Sequence, residues 1–415
     1  MPALFLLLLQ VAAEPAAAPA AFDQCLAGIG AAARRAGVPD SVVRASLAGV
    51  TPDSSVLVAS ERQPEFTLSI WDYFAATVDS QRVADGRERL VEWAPVLDRI
   101  EARSGVDRHV VVAIWGLETD FGRVLGGRPL VRSLATGACH GRRRDFFRGQ
   151  LVAALEILAS GDIAPDDLVG SWAGAFGHPQ FMPSTFRTRA VDGDGDGRRD
   201  IVRSVPDALA SAANYLQRAG WRGGAPWGHE VTVPARYRGR VGVRHRRPVT
   251  AWAAAGIRRV DGKKLTGGGT AALLRPAGPK GPAFLVYQNW RAIFAYNAAS
   301  SYALAVAHLA DRLRGDGGFV TPWPTDDRGL SRLERREVQE RLARRGYDAG
   351  PADGVIGSRT RAAIERVQGE FGLTVDGRAG GKLLDALRAA DSVGSTPGPK
   401  PPPGGRLSGL RGTGA

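Results

Sequence analysis

The chain has 415 residues, 44% of them hydrophobic, and carries 55 lysines and arginines against 42 acids, a net charge of +13. That length and composition exclude a wholly disordered chain and predict a globular protein of more than one domain. The positive charge is either a solvated arginine-rich surface or a preference for anionic partners such as nucleic acid, acidic lipid or a cell-wall polymer. No RNP, zinc-finger or helix-turn-helix signature is present, so nucleic acid is not an expected partner.

In chain order, "MPALFLLLLQVAAEPAAAPA" holds one apolar run, Phe5 to Leu9, too short to span a bilayer. Small residues follow at Val11-Ala12-Ala13 and Ala18-Pro19-Ala20, and residues 1–20 read as a secretory signal peptide, although its first residues lack a Lys or Arg. No cysteine follows directly, so no lipid anchor is indicated, and no other stretch qualifies as a membrane helix. The two cysteines, Cys25 and Cys139, form one bridge in an exported protein or stay as two buried thiols.

Residues 22 to about 315 read mostly as helices. In "DRHVVVAIWGLETDFG", Val110, Ala113, Ile114, Leu117 and Phe121 fall on one helical face, Asp107 is placed to cap the start and Gly122 to end the helix. Glu118 then lies on or beside the apolar stripe. A carboxylate there needs a partner, an altered pKa or a chemical task. Asp120, two residues on, points to another side of the helix and is a poor partner. "GSWAGAFGHPQFMPSTF" (170–186) is dense in small and aromatic residues without periodicity, which reads either as a tight helix–helix corner or as a backbone approaching a ligand, with Gln180 the residue a corner explains least. In "DGDGDGRRD", Asp192, Asp194 and Asp196 occupy positions 1, 3 and 5 of a calcium-loop pattern and Gly197 position 6, but Arg203 stands at position 12, where an EF-hand has its bidentate Glu. Asp207 is the candidate substitute carboxylate; the alternative is a plain acidic turn. Between 222 and 290, "GHEVTVPARYRGRVGVRH" alternates, which reads as short strands or an extended insertion. "FAYNAASSYALAV" places Tyr296, Asn297 and Tyr302 at the start of a helix; aromatic and amide groups suit sugar rings, but each alone also suits a structural role. Residues 316–329 read as a Gly/Pro linker, 330–388 as a compact helical segment and 389–415 as a disordered tail. Walker, dinucleotide-fingerprint and GxSxG patterns are absent from the sequence.

"GLETDFG", "GSWAGAFGHPQFMPSTF", "VDGDGDGRRDIV", "SAANYLQRAGW" and "YQNWRAIFAYN" occur in the order found in lytic murein transglycosylases of the B type, and residues 22–315 resemble that family. The resemblance implies a mainly α, lysozyme-like catalytic domain (21–315) with a small β-containing insertion. It implies cleavage of the bond between N-acetylmuramic acid and N-acetylglucosamine in peptidoglycan. Glu118 matches the family's single acid/base, a role that fits a carboxyl set on an apolar face, since desolvation raises a carboxyl pKa. By the same match Ser171, Gln180, Tyr215, Tyr296, Asn297 and Tyr302 line the glycan groove, and Asp192, Asp194, Asp196 and Asp207 resemble a calcium site of part of the family. No cofactor is required; a structural calcium ion is the candidate addition. Asp120 stands where Asn is usual, Phe176 where Met is usual, and His178 in a variable slot. "GY", "DGVIGSRT", "AIERVQGEFGL" and "DG" within 330–388 resemble the small peptidoglycan-binding domain of wall enzymes, built on three helices, with Val338 and Leu342 on one face, Gly346 as a stop and Ser358 as a cap. The expectation is a periplasmic monomer with no integral membrane segment after signal removal. The rivals are a hydrolytic muramidase and a non-catalytic wall-binding scaffold.

Overall fold

A computed structural model describes residues 19–61, 68–265 and 269–394. The expected leader lies outside them except for Pro19 and Ala20, which begin a helix, Pro19–Arg35. No helix among the described residues is long and apolar enough to cross a membrane. The chain divides into two compact units, with the boundary between Pro324 and Thr325.

The first unit is built around the helix Arg108–Thr119. Asp107 caps it as expected, accepting from the His109 amide at 2.8 Å. Burial opposes ionisation of Asp107, but His109 and Arg314 hold its carboxyl well below the usual range. The helix is not one-sided: every residue from Val110 to Gly116 is buried. Val111, Val112 and Trp115 make the remaining faces apolar, so the element is a core helix rather than an amphipathic one. The helix Ser300–Arg314 packs along it, and Val205–Arg218 and Ser80–Glu92 flank it.

A second apolar core surrounds Cys25 and Cys139. These cysteines are joined in a disulfide that closes 114 residues, tying the first helix to the helix Leu130–His140. Of the alternating segment 228–245 only Gly228–Thr232 is a strand; it joins an antiparallel sheet ordered Arg246–Pro248, Thr270–Leu274, Ala283–Val286, Gly228–Thr232, Arg258–Arg259, the other strands coming from the residues that follow. One face rests on the main core through Ala272, Leu274, Phe284 and Val286; the other covers Trp252 and Ile257.

The linker expected at 316–329 is not a free spacer. Phe319 stacks on His308 at 3.9 Å, and Trp323 lies 5.5 Å from Phe74. The Glu230 carboxylate accepts from the amides of Val320 and Thr321, both at 2.7 Å. Burial of two aromatic rings therefore attaches residues 319–323 to the first unit. In the second unit, Asp327 pairs with Arg378, and Gly329 bridges to Gly380.

That unit is the expected three-helix core: Arg332–Arg344, Ser358–Glu370 and Gly381–Gly394, packed through Leu330, Val338, Leu342, Ile364, Val367 and Leu384. Ser331 and Glu334 form a capping box on the first helix. Gly346 stops that helix with a φ of 85°. Ser358 is not the cap of the second helix; Gly357 holds that position, without a side-chain bond. The two "DG" turns are held alike: Gln339 accepts from the Gly354 amide at 2.7 Å, and Gln368 from that of Gly377 at 2.9 Å. The third helix continues through 389–394, where a tail was expected, and there Asp391 pairs with Arg341 and Arg345 of the first helix of this unit. Residues 395–415 lie outside the described residues.

Candidate active site

The core helix ends at Thr119, earlier than Gly122, because Asp120 and Phe121 both take left-handed φ values, 52° and 58°. Phe121 thus leaves the predicted helical stripe and folds back over Gly116, where a Cβ would stand 2.7 Å from its ring. Such a turn costs free energy in non-glycine residues and needs outside support. Arg82, itself buried, donates to the carbonyls of Ala76 at 3.2 Å and Thr77 at 2.7 Å, and its guanidinium stands 3.7 Å from Asp120. Arg123 pairs with Asp120 at 3.3 Å and with Asp85 at 2.5 Å. Burial works against ionisation of Asp85, but Arg123 and Gln81 win and lower its pKa.

Glu118 lies on the last turn of this helix, half-buried. The Tyr302 hydroxyl donates to its Oε1 at 2.6 Å. The Tyr302 ring stacks on Tyr296 at 6.4 Å with 14° between planes, and Tyr296 packs on Tyr215 at 4.7 Å. Tyr296 donates to the carbonyl of Pro179 at 2.6 Å, and Tyr215 to that of Ala295 at 2.5 Å. Burial, and then the nearby Glu118 carboxylate, push the phenols of Tyr302 and Tyr296 well above their ordinary pKa, so both stay protonated donors. Burial raises Tyr215 as well.

Of the expected groove residues, Tyr302, Tyr296 and Tyr215 thus form one cluster running from Glu118 to the 170–182 loop. The other three are placed differently. Gln180 sits at a φ of 49° and spends its amide on the carbonyls of Leu125 at 3.2 Å and Gly177 at 2.9 Å. Ser171 closes its own loop, accepting from the Ala175 amide at 3.1 Å. Asn297 is exposed. Tyr296 and Asn297 do not begin a helix: Tyr296 ends the helix Gln288–Tyr296, Asn297 is its C-cap, and only Tyr302 falls in the opening turn of the next.

The carboxylates of Asp192, Asp194 and Asp196 gather, their ligand atoms within 4.8 Å of one another. Asp207 does not join them. It is fully buried, one oxygen accepting from the Gly193 amide at 2.7 Å and the other from that of Asp200 at 2.6 Å. Both its oxygens are committed to closing the loop, and burial raises its pKa despite those donors. Arg203 turns away to Asp167 at 2.7 Å.

Sequence reasoning missed His178, Trp115, Thr119 and Arg82. The Trp115 indole donates to His178 Nδ1 at 2.9 Å, and the Thr119 hydroxyl to the His178 carbonyl at 3.1 Å. The only hints in the sequence were the departures His178 and Asp120, whose partners are distant in the chain.

Residues 21–311 match the family profile described as the transglycosylase SLT domain, and residues 331–387 that of the peptidoglycan binding domain. The chain is 31% identical over 263 residues to membrane-bound lytic murein transglycosylase B of Escherichia coli (strain K12), covering 62% of this chain and 71% of that protein. It resembles SltB3 from Pseudomonas aeruginosa, solved in complex with NAG-anhNAM-pentapeptide, at 46% identity and a TM-score of 0.71, covering 88% of this chain and 99% of that one. The Escherichia coli lytic transglycosylase Slt35 in complex with calcium is similar at 27% identity and a TM-score of 0.62, over 71% of this chain and 92% of that one.

Proposed function

The chain belongs to the lytic transglycosylase family that carries the SLT domain, and from that premise we propose that it cleaves the MurNAc–GlcNAc β-1,4 bond of peptidoglycan without water, with Glu118 as the single acid/base. The observation that carries this reading is the pairing of Glu118. Its carboxyl is gripped by a tyrosine, while the neighbouring acid, Asp120, faces Arg82 and Arg123. Glycosidases that add water use two carboxyls across the scissile bond. Here one carboxyl gives its proton to the departing glycosidic oxygen and then accepts the proton of the muramoyl C6 hydroxyl. That oxygen closes on C1 and leaves a 1,6-anhydromuramoyl end. General acid–base assistance of this kind contributes roughly 10²–10⁴ in rate. The tyrosine ladder offers apolar faces to sugar rings beside the acid. Mass spectrometry of digested sacculi tests the reading: anhydromuropeptides support it, reducing ends indicate a muramidase, and undigested sacculi a scaffold.

The other assignments rest on the same premise. The second unit holds the enzyme on its polymer, which raises the local substrate concentration. The disulfide and the wall substrate support export to the periplasm, where the protein acts as a monomer. No cofactor takes part in the chemistry. Asp192, Asp194 and Asp196 would hold a calcium ion, a hard cation suited to clustered carboxylates. The support for this reading is the gathering of the three carboxylates within 4.8 Å, while the missing acid at position 203 makes the site weak. Bound calcium would neutralise the cluster and fix the loop.

A further inference from the structure

His178 is buried, polar and unused by the chemistry above. Its amide donates to the carbonyl of Ile201 at 2.9 Å, and its own carbonyl accepts from Thr119. On the ring, Nδ1 accepts from the Trp115 indole at 2.9 Å. With Nδ1 an acceptor, the proton of the neutral ring is on Nε2. The ring also fills the space beside Gly122, where a Cβ would come within 2.4 Å of it. Trp115 is three residues before Glu118, Thr119 one residue after, and Gly122 closes the left-handed turn. Ile201 and Val202 belong to the arm of the acidic loop that Asp207 anchors at Asp200.

We propose that His178 is a positioning residue that fixes the catalytic turn to the acidic loop: it grips both sides of Glu118 from one buried point, through Trp115 and Thr119. A core position that needed only volume would take a phenylalanine or methionine. This ring instead takes a directional bond on Nδ1 while its own peptide bonds to Ile201 and Thr119, which sets the orientation of both. The turn it braces contains two strained non-glycine residues, and a small displacement of a reacting group costs far more in rate than in stability. The inference rests on the reading of Glu118 as the acid.

The test compares steady-state kinetics on soluble glycan strands, and melting temperatures, for the full-length wild type, Glu118→Gln, Trp115→Phe, His178→Asn, His178→Phe and the double variant Trp115→Phe/His178→Phe. Trp115→Phe keeps an aromatic ring in the core and removes the donor together with part of the indole volume, so its melting temperature is read beside its kcat. It and His178→Phe should each lower kcat about ten- to a hundred-fold, with KM within about two-fold. The double variant should be no worse than His178→Phe, because both break one bond. Asn carries an oxygen near the Nδ1 position, and His178→Asn should recover part of the loss. Unchanged kcat with only a lower melting temperature, or losses that add in the double variant, would overturn the proposal. If His178→Phe does not fold, Trp115→Phe and His178→Asn decide alone. Glu118→Gln separates the premises: an active Glu118→Gln enzyme removes the reading of the acid, whereas an inactive one beside unimpaired Trp115→Phe and His178→Asn removes the role of His178 only.

Discussion

The Tyr302 hydroxyl donates a 2.6 Å hydrogen bond to Glu118 across 184 residues of chain. It joins the last turn of the core helix to the first turn of Ser300–Arg314, the two helices that form the spine of the first unit. The acid is therefore held by a donor that cannot ionise near neutral pH, on an element that cannot move without opening the core.

Glu118→Gln should abolish glycan cleavage while the melting temperature stays within about 2 °C of wild type. The amide keeps the shape of the carboxyl and an acceptor for Tyr302, but has no proton to give the leaving oxygen. Retention of more than about a tenth of the activity would require another acid, given the roughly 10²–10⁴ such a group contributes.

Tyr302→Phe should lower kcat about ten-fold, the equivalent of about 1.4 kcal/mol, with folding intact. The ring and its stack on Tyr296 remain; only the hold on Glu118 is lost. Rates equal to wild type on soluble strands would show that the bond does not orient the acid.

Acid should weaken the fold through its buried histidines. Burial lowers the pKa of His308 to about 3 and of His229 to about 4, below the ordinary 6.5. The unfolded chain binds protons at these sites first, so their contribution is lost as pH falls from 6.5 towards 3. Asp311 acts in the opposite direction: burial raises it to about 6, so the folded form takes up its proton first, between about 6 and the ordinary 3.8. His308→Phe, set between Phe74 and Phe319, should flatten the decline of melting temperature below pH 6.5. An unchanged slope would assign acid lability elsewhere.

Calcium at millimolar concentration should raise the melting temperature of the full-length protein by a few degrees, because a ligand of the folded state stabilises by mass action. Asp192→Asn should remove the shift. Differential scanning fluorimetry with and without chelator reads it, and no calcium response in the wild type would leave the loop an ordinary acidic turn.

Removal of residues 325–415 should leave the first unit folded and its rate on short soluble glycans nearly unchanged, since Glu118 and the tyrosine ladder precede the cut. Cutting at 316 instead would strip Phe319 and Trp323 from the core and lower the melting temperature. On intact sacculi the shortened enzyme should be slower, and the comparison belongs at high salt, where adhesion through the net +13 charge is screened. Equal pelleting of both forms under those conditions would refute a wall-binding role for the second unit.

What the sequence determined by itself is what short-range pattern can carry. Helical spacing located the element that bears Glu118 and placed that acid on it. Alternation located one strand, Gly228–Thr232, and the spacing of Val338 and Leu342 located a helix of the second core. The order of the motifs carried the family. The tertiary structure decided what depends on partners far apart in the chain. Asp120 and Phe121 both adopt left-handed backbone, which local propensity tolerates for an aspartate but not for a phenylalanine, and Arg82, His178 and Gly116 supply the support. Asp207 sits at a spacing that suits a ligand, but burial turned both its oxygens to backbone amides. Residues 319–323 have the composition of a linker, yet Phe319 and Trp323 found apolar surface on the first unit. In each case a buried polar group or exposed ring takes the partner that satisfies it, and that partner exists only once the chain has folded.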